Sequence, residues 1–238
     1  MPNNTPLLAV LIDADNTSYK HAKAIFDEIA GFGEASVRRI YGDFSSSHMK
    51  GWSAVQAEFG IVPHHQPANT VGKNASDIAL VIDAMDLMHS SRFDGFVLVS
   101  SDSDFTRLAS RIREQGLDVY GIGQQKTPDA FRKACKRFIF IENLLGAEPA
   151  ADKPVAPSGK TEDLPDARDL IFRAMEAIEQ DDDWYSLGQI GQYITAANPD
   201  FDTRTYGKRK LSDLIESLKM LEVKRGQGSN QMFVRRLD

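Results

Sequence analysis

A chain of 238 residues, 42% of them hydrophobic, is long enough to bury a substantial core, so disorder is not expected. Its 34 acidic residues exceed its 28 basic ones; the formal charge of −6 excludes a protein that holds nucleic acid by bulk positive charge, and any such site must be local. Cys135 is the only cysteine, which excludes an intrachain disulfide framework and a cysteine-based zinc site and points to a reducing, cytoplasmic compartment.

The opening residues Met1 to Pro6 contain no basic region, and the apolar run Leu7 to Ile12 is strand length, too short for a signal peptide or membrane span. Continuous and apolar, it predicts a strand buried on both faces, as parallel sheets require. Ala22, Ile25, Phe26 and Ile29 then recur at helical spacing before Gly31 and Gly33 supply a stop. The alternation continues with a strand at Ser36 to Tyr41, a helix over about 51–58, a short strand at Ile61-Val62, a longer helix at Asn74 to Met88 and a buried strand at Phe96 to Val99. A helix at Asp104 to Gln115, a strand at Val119 to Ile122, a short helix near Asp129 and a strand at Phe138 to Ile141 close the region. Strands alternating with helices predict an α/β domain over residues 1–145, a three-layer, mostly parallel sheet.

Residues 146–165 are rich in Ala, Pro, Lys and Glu, include Pro149, Pro154 and Pro157, and read as a linker. In 166–238, Leu170, Ile171, Ala174 and Ile178 mark one helix, Leu187, Ile190 and Ile194 a second, and Leu211, Leu214, Ile215 and Leu218 a third. Two strands, at Leu221 to Val223 and Met232 to Val234, are joined through Gly226-Gln227-Gly228. Three helices followed by a hairpin form the pattern of a small winged helix-turn-helix domain.

Chemistry concentrates in the first region. Asp13 and Asp15 follow the first strand, and Asp102 and Asp104 follow the fourth in Val99-Ser100-Ser101-Asp102-Ser103-Asp104-Phe105. Carboxyl ends of strands line the crevice of an open α/β sheet, so residues far apart in sequence can share one pocket, with Asp77 entering from its helix. Clustered carboxylates repel one another and call for a cation, and hard oxygen donors select Mg²⁺ or Mn²⁺. Such a metal activates water for attack on phosphorus without a protein nucleophile.

Three segments, Ile12-Asp13-Ala14-Asp15-Asn16, Lys73-Asn74-Ala75-Ser76-Asp77 and Ser101-Asp102-Ser103-Asp104-Phe105, resemble the NYN domain family, itself similar to the PIN nucleases. The resemblance covers roughly residues 6–145 and implies a metal-dependent ribonuclease on a Rossmann-like sheet. Carried over by position, it implies Asp13, Asp77 and Asp102 as metal-facing carboxylates, Asp104 completing or supporting them, and Asn16 holding the first loop or a phosphate. Asp15 is a member that can point away.

Residues 166–236 resemble the OST-HTH or LOTUS domain through Trp184-Tyr185-Ser186-Leu187-Gly188-Gln189-Ile190 and Tyr206-Gly207-Lys208-Arg209-Lys210-Leu211, which implies RNA binding or docking of a protein partner. Between Arg204 and Arg236 the basic residues Arg204, Lys208, Arg209, Lys210, Lys219, Lys224, Arg225, Arg235 and Arg236 face only Asp213, Glu216 and Glu222. This predicts a locally positive third helix and wing, suited to phosphate contacts. Lys73 is a further candidate for a phosphate.

Each of these residues has a plainer role beside the functional one. Asp102 or Asp104 fits a helix cap, Asp77 a first-turn acid favoured by the helix dipole, Lys73 a solvated loop, and Trp184 and Tyr185 a small domain's core. His64 and His65 are candidates for positioning substrate, with a structural role favoured for at least one. Asp13-Ala14-Asp15-Asn16-Thr17 also matches the Asp-x-Asp-x-Thr pattern of haloacid-dehalogenase-like phosphatases, although the lysine and cap insertion of that class are not clearly present. A catalytically weak RNA-binding regulator is the alternative outside enzymes. The sequence as a whole predicts a cytoplasmic metal-dependent endoribonuclease whose partner is single-stranded or structured RNA, with no membrane association and an oligomeric state left open, a dimer included.

Overall fold

The strand order follows from short βαβ crossovers. A computed structural model describes residues 5–45, 49–65, 75–145, 166–180, 182–226 and 231–237. Lys73, Asn74, the predicted linker 146–165 and the turn residues Gln227 and Gly228 lie outside them. The chain divides into two units, Met1–Glu148 and Pro149–Asp238.

In the first unit the strands are β1 Leu7–Asp13, β2 Glu34–Gly42, β3 Val62–His65, β4 Gly95–Val99, β5 Asp118–Gly123 and β6 Arg137–Phe140. They form one sheet in the order β3-β2-β1-β4-β5-β6, and every pairing is parallel. Between them run α1 Ala22–Ile29, α2 Lys50–Phe59, α3 Ala75–His89, α4 Thr106–Glu114, α5 Asp129–Ala134 and, after β6, α6 Ile141–Leu145. Winding outward from β1 in both directions reverses the strand order between β1 and β4. Right-handed crossovers then put α1 and α2 on one face and α3, α4 and α5 on the other.

Side-chain parity along the strands assigns each residue to a face. Leu8, Val10 and Ile12 of β1 and Val97 and Val99 of β4 share one core with Ala22, Ile25, Ile29, Trp52, Ile141 and Leu144. The intervening residues Ala9 and Leu11, with Phe96 and Leu98, are buried against the α3–α5 layer, whose own buried side chains include Leu80, Ala84, Leu108, Ala109, Ile112 and Phe131. By the same parity Asp13 and Ser100 lie on the α3 side, as do Arg39 and Tyr41 of β2. Asp83 of α3 accepts hydrogen bonds from both Arg39 and the Tyr41 hydroxyl, which ties α3 to β2.

The predicted strand at Ile61-Val62 runs instead from Val62 to His65. Pro63 and the two histidines hide it from a hydropathy reading, yet an outermost strand tolerates proline and polar residues. The predicted helix start at Asp104 is a 3₁₀ turn, Ser103–Phe105, preceding α4.

The second unit contains α7 Ala167–Ala177, α8 Leu187–Ala197 and α9 Leu211–Glu216. Its sheet has the order β7-β9-β8, formed by β7 Tyr185–Ser186, β8 Leu221–Arg225 and β9 Met232–Arg236, with both pairings antiparallel. Leu170, Ile171, Ala174, Ile190, Ile194, Ile215, Leu221 and Val234 form its core. The two-residue β7 was not expected.

Candidate active site

The switch point between β1 and β4 gathers the acidic residues. Asp13, the last residue of β1, is 1% exposed, and four donors surround its carboxylate. Oδ1 accepts from the backbone N–H groups of Asp15 and Asn16 at 3.1 and 3.2 Å. Oδ2 accepts from Asn16 Nδ2 at 2.8 Å and from the Ser100 hydroxyl at 2.6 Å. Burial pushes the Asp13 carboxyl above its ordinary range; the hydrogen bonds from Ser100 and Asn16 oppose that shift and Asp15 adds to it. Asn16, expected to hold the first loop or a phosphate, donates to Asp13 from both its backbone and its side-chain amide.

Ser100 escaped the sequence reading. It is 2% exposed, donates to Asp13, and its Oγ also accepts the backbone N–H of Asp102 at 3.1 Å, so one hydroxyl joins the ends of β1 and β4. A serine in a Val-Ser-Ser-Asp run gives no sign of this; only strand parity distinguishes Ser100 from Ser101. Gly123 permits the fit from the β5 side, because a Cβ there would lie 2.5 Å from the Ser100 carbonyl oxygen. Thr17 secures the first loop: its carbonyl accepts from Trp52 Nε1 at 3.1 Å.

Asp102 performs the capping role weighed for it, accepting the Asp104 N–H at 2.9 Å at the head of the 3₁₀ turn. Capping uses one oxygen and leaves the half-buried group within electrostatic reach of the cleft. Phe105, buried among Phe131 and its neighbours, fixes the turn from beneath, and Asp104 is exposed. Asp15 is exposed and accepts from Ser76 Oγ at 2.9 Å, so it joins the start of α3.

Asp77, in the first turn of α3, reports the convergence. Its carboxyl is pushed up to about 6, first by burial and then by Asp13, Asp102, Asp15 and Asp104. All of these charged neighbours are acids. Such a cluster fits a hard divalent cation by both donor chemistry and charge. Among the described residues, however, no three carboxylates, imidazoles or thiols are already gathered as ligands around one point. The cleft therefore offers oxygen donors and negative potential rather than a closed metal cage.

In the second unit the expected basic surface is redistributed. None of the predicted basic residues lies within α9, whose charged side chains are Asp213 and Glu216. Lys208, Arg209 and Lys210 precede it, Lys210 as its N-cap residue. Arg204 lies in the 3₁₀ turn Thr203–Tyr206, and its guanidinium holds the buried Asp202 at 2.6–3.0 Å, an anchoring role. Lys224 and Arg225, at the end of β8, are exposed. Trp184 is half-buried and absent from the core; Lys224 Nζ stands 3.7 Å and the Arg235 guanidinium carbon 4.8 Å from the centre of its ring.

No match is found among curated proteins. Among solved structures the chain is similar to a protein of unknown function from Vibrio parahaemolyticus, 19% identical with a TM-score of 0.48, covering 58% of this chain and 94% of that one. It is also similar to an uncharacterized protein from Nitrosomonas europaea, 29% identical with a TM-score of 0.29, covering 37% of this chain and 87% of that one. The NYN domain profile matches residues 7–142 and the OST-HTH/LOTUS profile residues 166–233. NYN domains fall within the PIN-like nuclease superfamily, and OST-HTH/LOTUS domains are RNA-binding modules. Among the described residues no helix is long and apolar enough to cross a membrane. The acids at the β1–β4 switch point thus sit on a sheet whose sequence matches that profile from β1 into α6, and the chain belongs to the NYN domain family, with an OST-HTH/LOTUS domain following.

Proposed function

We propose that the first domain hydrolyses RNA phosphodiester bonds with Mg²⁺ or Mn²⁺, while the second holds the RNA. The observation that carries this reading is the convergence of acids at the β1–β4 switch point, where Asp13, Asp102, Asp15 and Asp104 all lie close enough to Asp77 to push its carboxyl up. Asp77, Asp102 and Asp104 would hold the metal together with Asp13. Bound there, the ion supplies an activated water and charge stabilisation for the departing oxygen.

The chain's own residues prepare the cleft. Asn16 and Ser100 fix the Asp13 carboxylate through directed hydrogen bonds, so its orientation needs no ligand to set it. Asp15, through Ser76, connects the first loop to the helix that carries Asp77. Lys208 to Lys210, Lys224 and Arg225 give the second domain phosphate contacts, which supply affinity without sequence preference.

The test is cleavage of 5′-labelled single-stranded and structured RNAs in Mn²⁺, Mg²⁺ or EDTA. Wild type is expected to cut only with metal, and Asp13→Asn and Asp77→Asn to lose at least about 100-fold in rate, the scale of one lost transition-state stabilising group. Tight RNA binding without cutting under any metal would replace this reading by that of an RNA-binding regulator.

A further inference from the structure

RNA binding by the second domain does not by itself specify a surface, and the assignment of one rests on that proposal. The short third helix is a poor candidate. All charges within α9 are acidic, and Arg204 is committed to the buried Asp202. The outer face of the three-stranded sheet has a different character. Leu221, Val223 and Val234 point into the core, so by alternation Glu222 and Lys224 of β8 and Phe233 and Arg235 of β9 occupy the opposite face.

Register places Glu222 beside Arg235 and Lys224 beside Phe233, and Ser186 of β7 pairs with Phe233 on the other side. Trp184, one residue before β7, joins this face, because both Lys224 and Arg235 stand over its ring. Glu222 holds the Arg235 guanidinium at 2.5 Å, which fixes its plane. The face therefore carries two half-buried aromatic rings, one held guanidinium and one exposed lysine.

We infer that this sheet face, through Trp184, Phe233, Lys224 and Arg235, binds single-stranded RNA by stacking its bases. Aromatic rings and held guanidinium planes accept unpaired bases without sequence preference, and cations beside them take the adjoining phosphates. Lys224 covers the indole through an exposed side chain; an arriving base displaces its ammonium, which then faces the phosphate. The flanking acids favour short contacts over a long electrostatic track: Asp182 accepts the Trp184 backbone N–H, and Asp183 follows it.

Fluorescence tests this in the full chain. The protein has two tryptophans, and Trp52 is buried at 1% exposure in the other domain. Titration with a short oligouridylate in EDTA is expected to quench the wild-type emission and not that of Trp184→Phe. Trp184→Ala is expected to weaken binding about tenfold. Lys224→Gln, a surface change that leaves the core intact, is expected to lower the slope of log affinity against log salt by about one. RNA binding that proceeds without quenching and is unaffected by Trp184→Ala or Lys224→Gln would overturn the assignment while leaving the domain an RNA binder. Failure of the wild type to bind RNA at all would overturn both readings. Equal quenching by polyglutamate would assign the face to acidic protein segments and overturn it as well.

Discussion

Asp77 combines burial and like-charge repulsion, and the two act on stability with a definite sign. Its carboxyl titrates near 6 in the folded chain against 3.8 unfolded, so between those values the folded state holds the extra proton. Stability from this residue is complete below the lower value and is lost as pH rises through the upper one. Asp77→Asn is therefore expected to stabilise the metal-free protein by about 1 kcal/mol at pH 7.5, discounted for the group's partial exposure, and to change little at pH 3.5. Chemical denaturation at both pH values checks this. Mn²⁺ should stabilise the wild type and not the variant. Ser100→Ala removes the hydrogen bond that most strongly opposes the upward shift of Asp13. It is expected to cost about 1–3 kcal/mol in urea unfolding and to move the acid limb of any pH–rate profile to higher pH.

The sequence disclosed the carboxylates but not what holds them. Asp13, Asp77, Asp102 and Asp104 are visible because acids at strand ends and at a helix start stand out against apolar runs. Ser100 and Thr17 are not, because their partners are set by tertiary packing: Ser100 bonds to Asp13 and Thr17 to Trp52.

Elements place these residues, and α3 matters most because Asp77 rides on it. Asp83, two turns further along, is held by Arg39 and Tyr41 of β2. Burial and the adjacent carboxylate keep the Tyr41 hydroxyl well above its ordinary pKa, so it remains a donor throughout the accessible range. Asp83→Ala leaves that buried hydroxyl and the Arg39 guanidinium without this acceptor. A loss of about 2–4 kcal/mol in urea unfolding is expected, with the smaller loss of about 1 kcal/mol for Tyr41→Phe. Strands buried on both faces, such as β4, were legible because every residue from Gly95 to Val99 is buried and the run is apolar. Strand β7 was not legible, because two residues carry no period. The concentration of basic residues near α9 misled for a related reason: linear proximity does not reveal which of them a buried acid such as Asp202 has already recruited.

At the scale of the whole molecule the two units have separate cores, one around β1 and one around Ile171 and Val234. Among the described residues each of these cores is built from its own unit, so residues 1–148 and 149–238 are each expected to fold when expressed alone. A well-dispersed heteronuclear NMR spectrum from each fragment alone would check this. The first fragment should retain metal-dependent cutting, and the second should retain oligouridylate binding.

The central position of β1 has a consequence for the growing polypeptide. Asp13 is made before Ser100, its shortest hydrogen-bond donor, and before Asp102; both follow β4, which must dock beside β1 before either can contribute. A nascent chain that has not yet produced residue 102 thus carries an Asp13 carboxylate held only by its own loop, and an incomplete cleft. A product terminated before residue 102 therefore lacks both Ser100 and the acids that follow β4, and is expected to be inert in the cleavage assay.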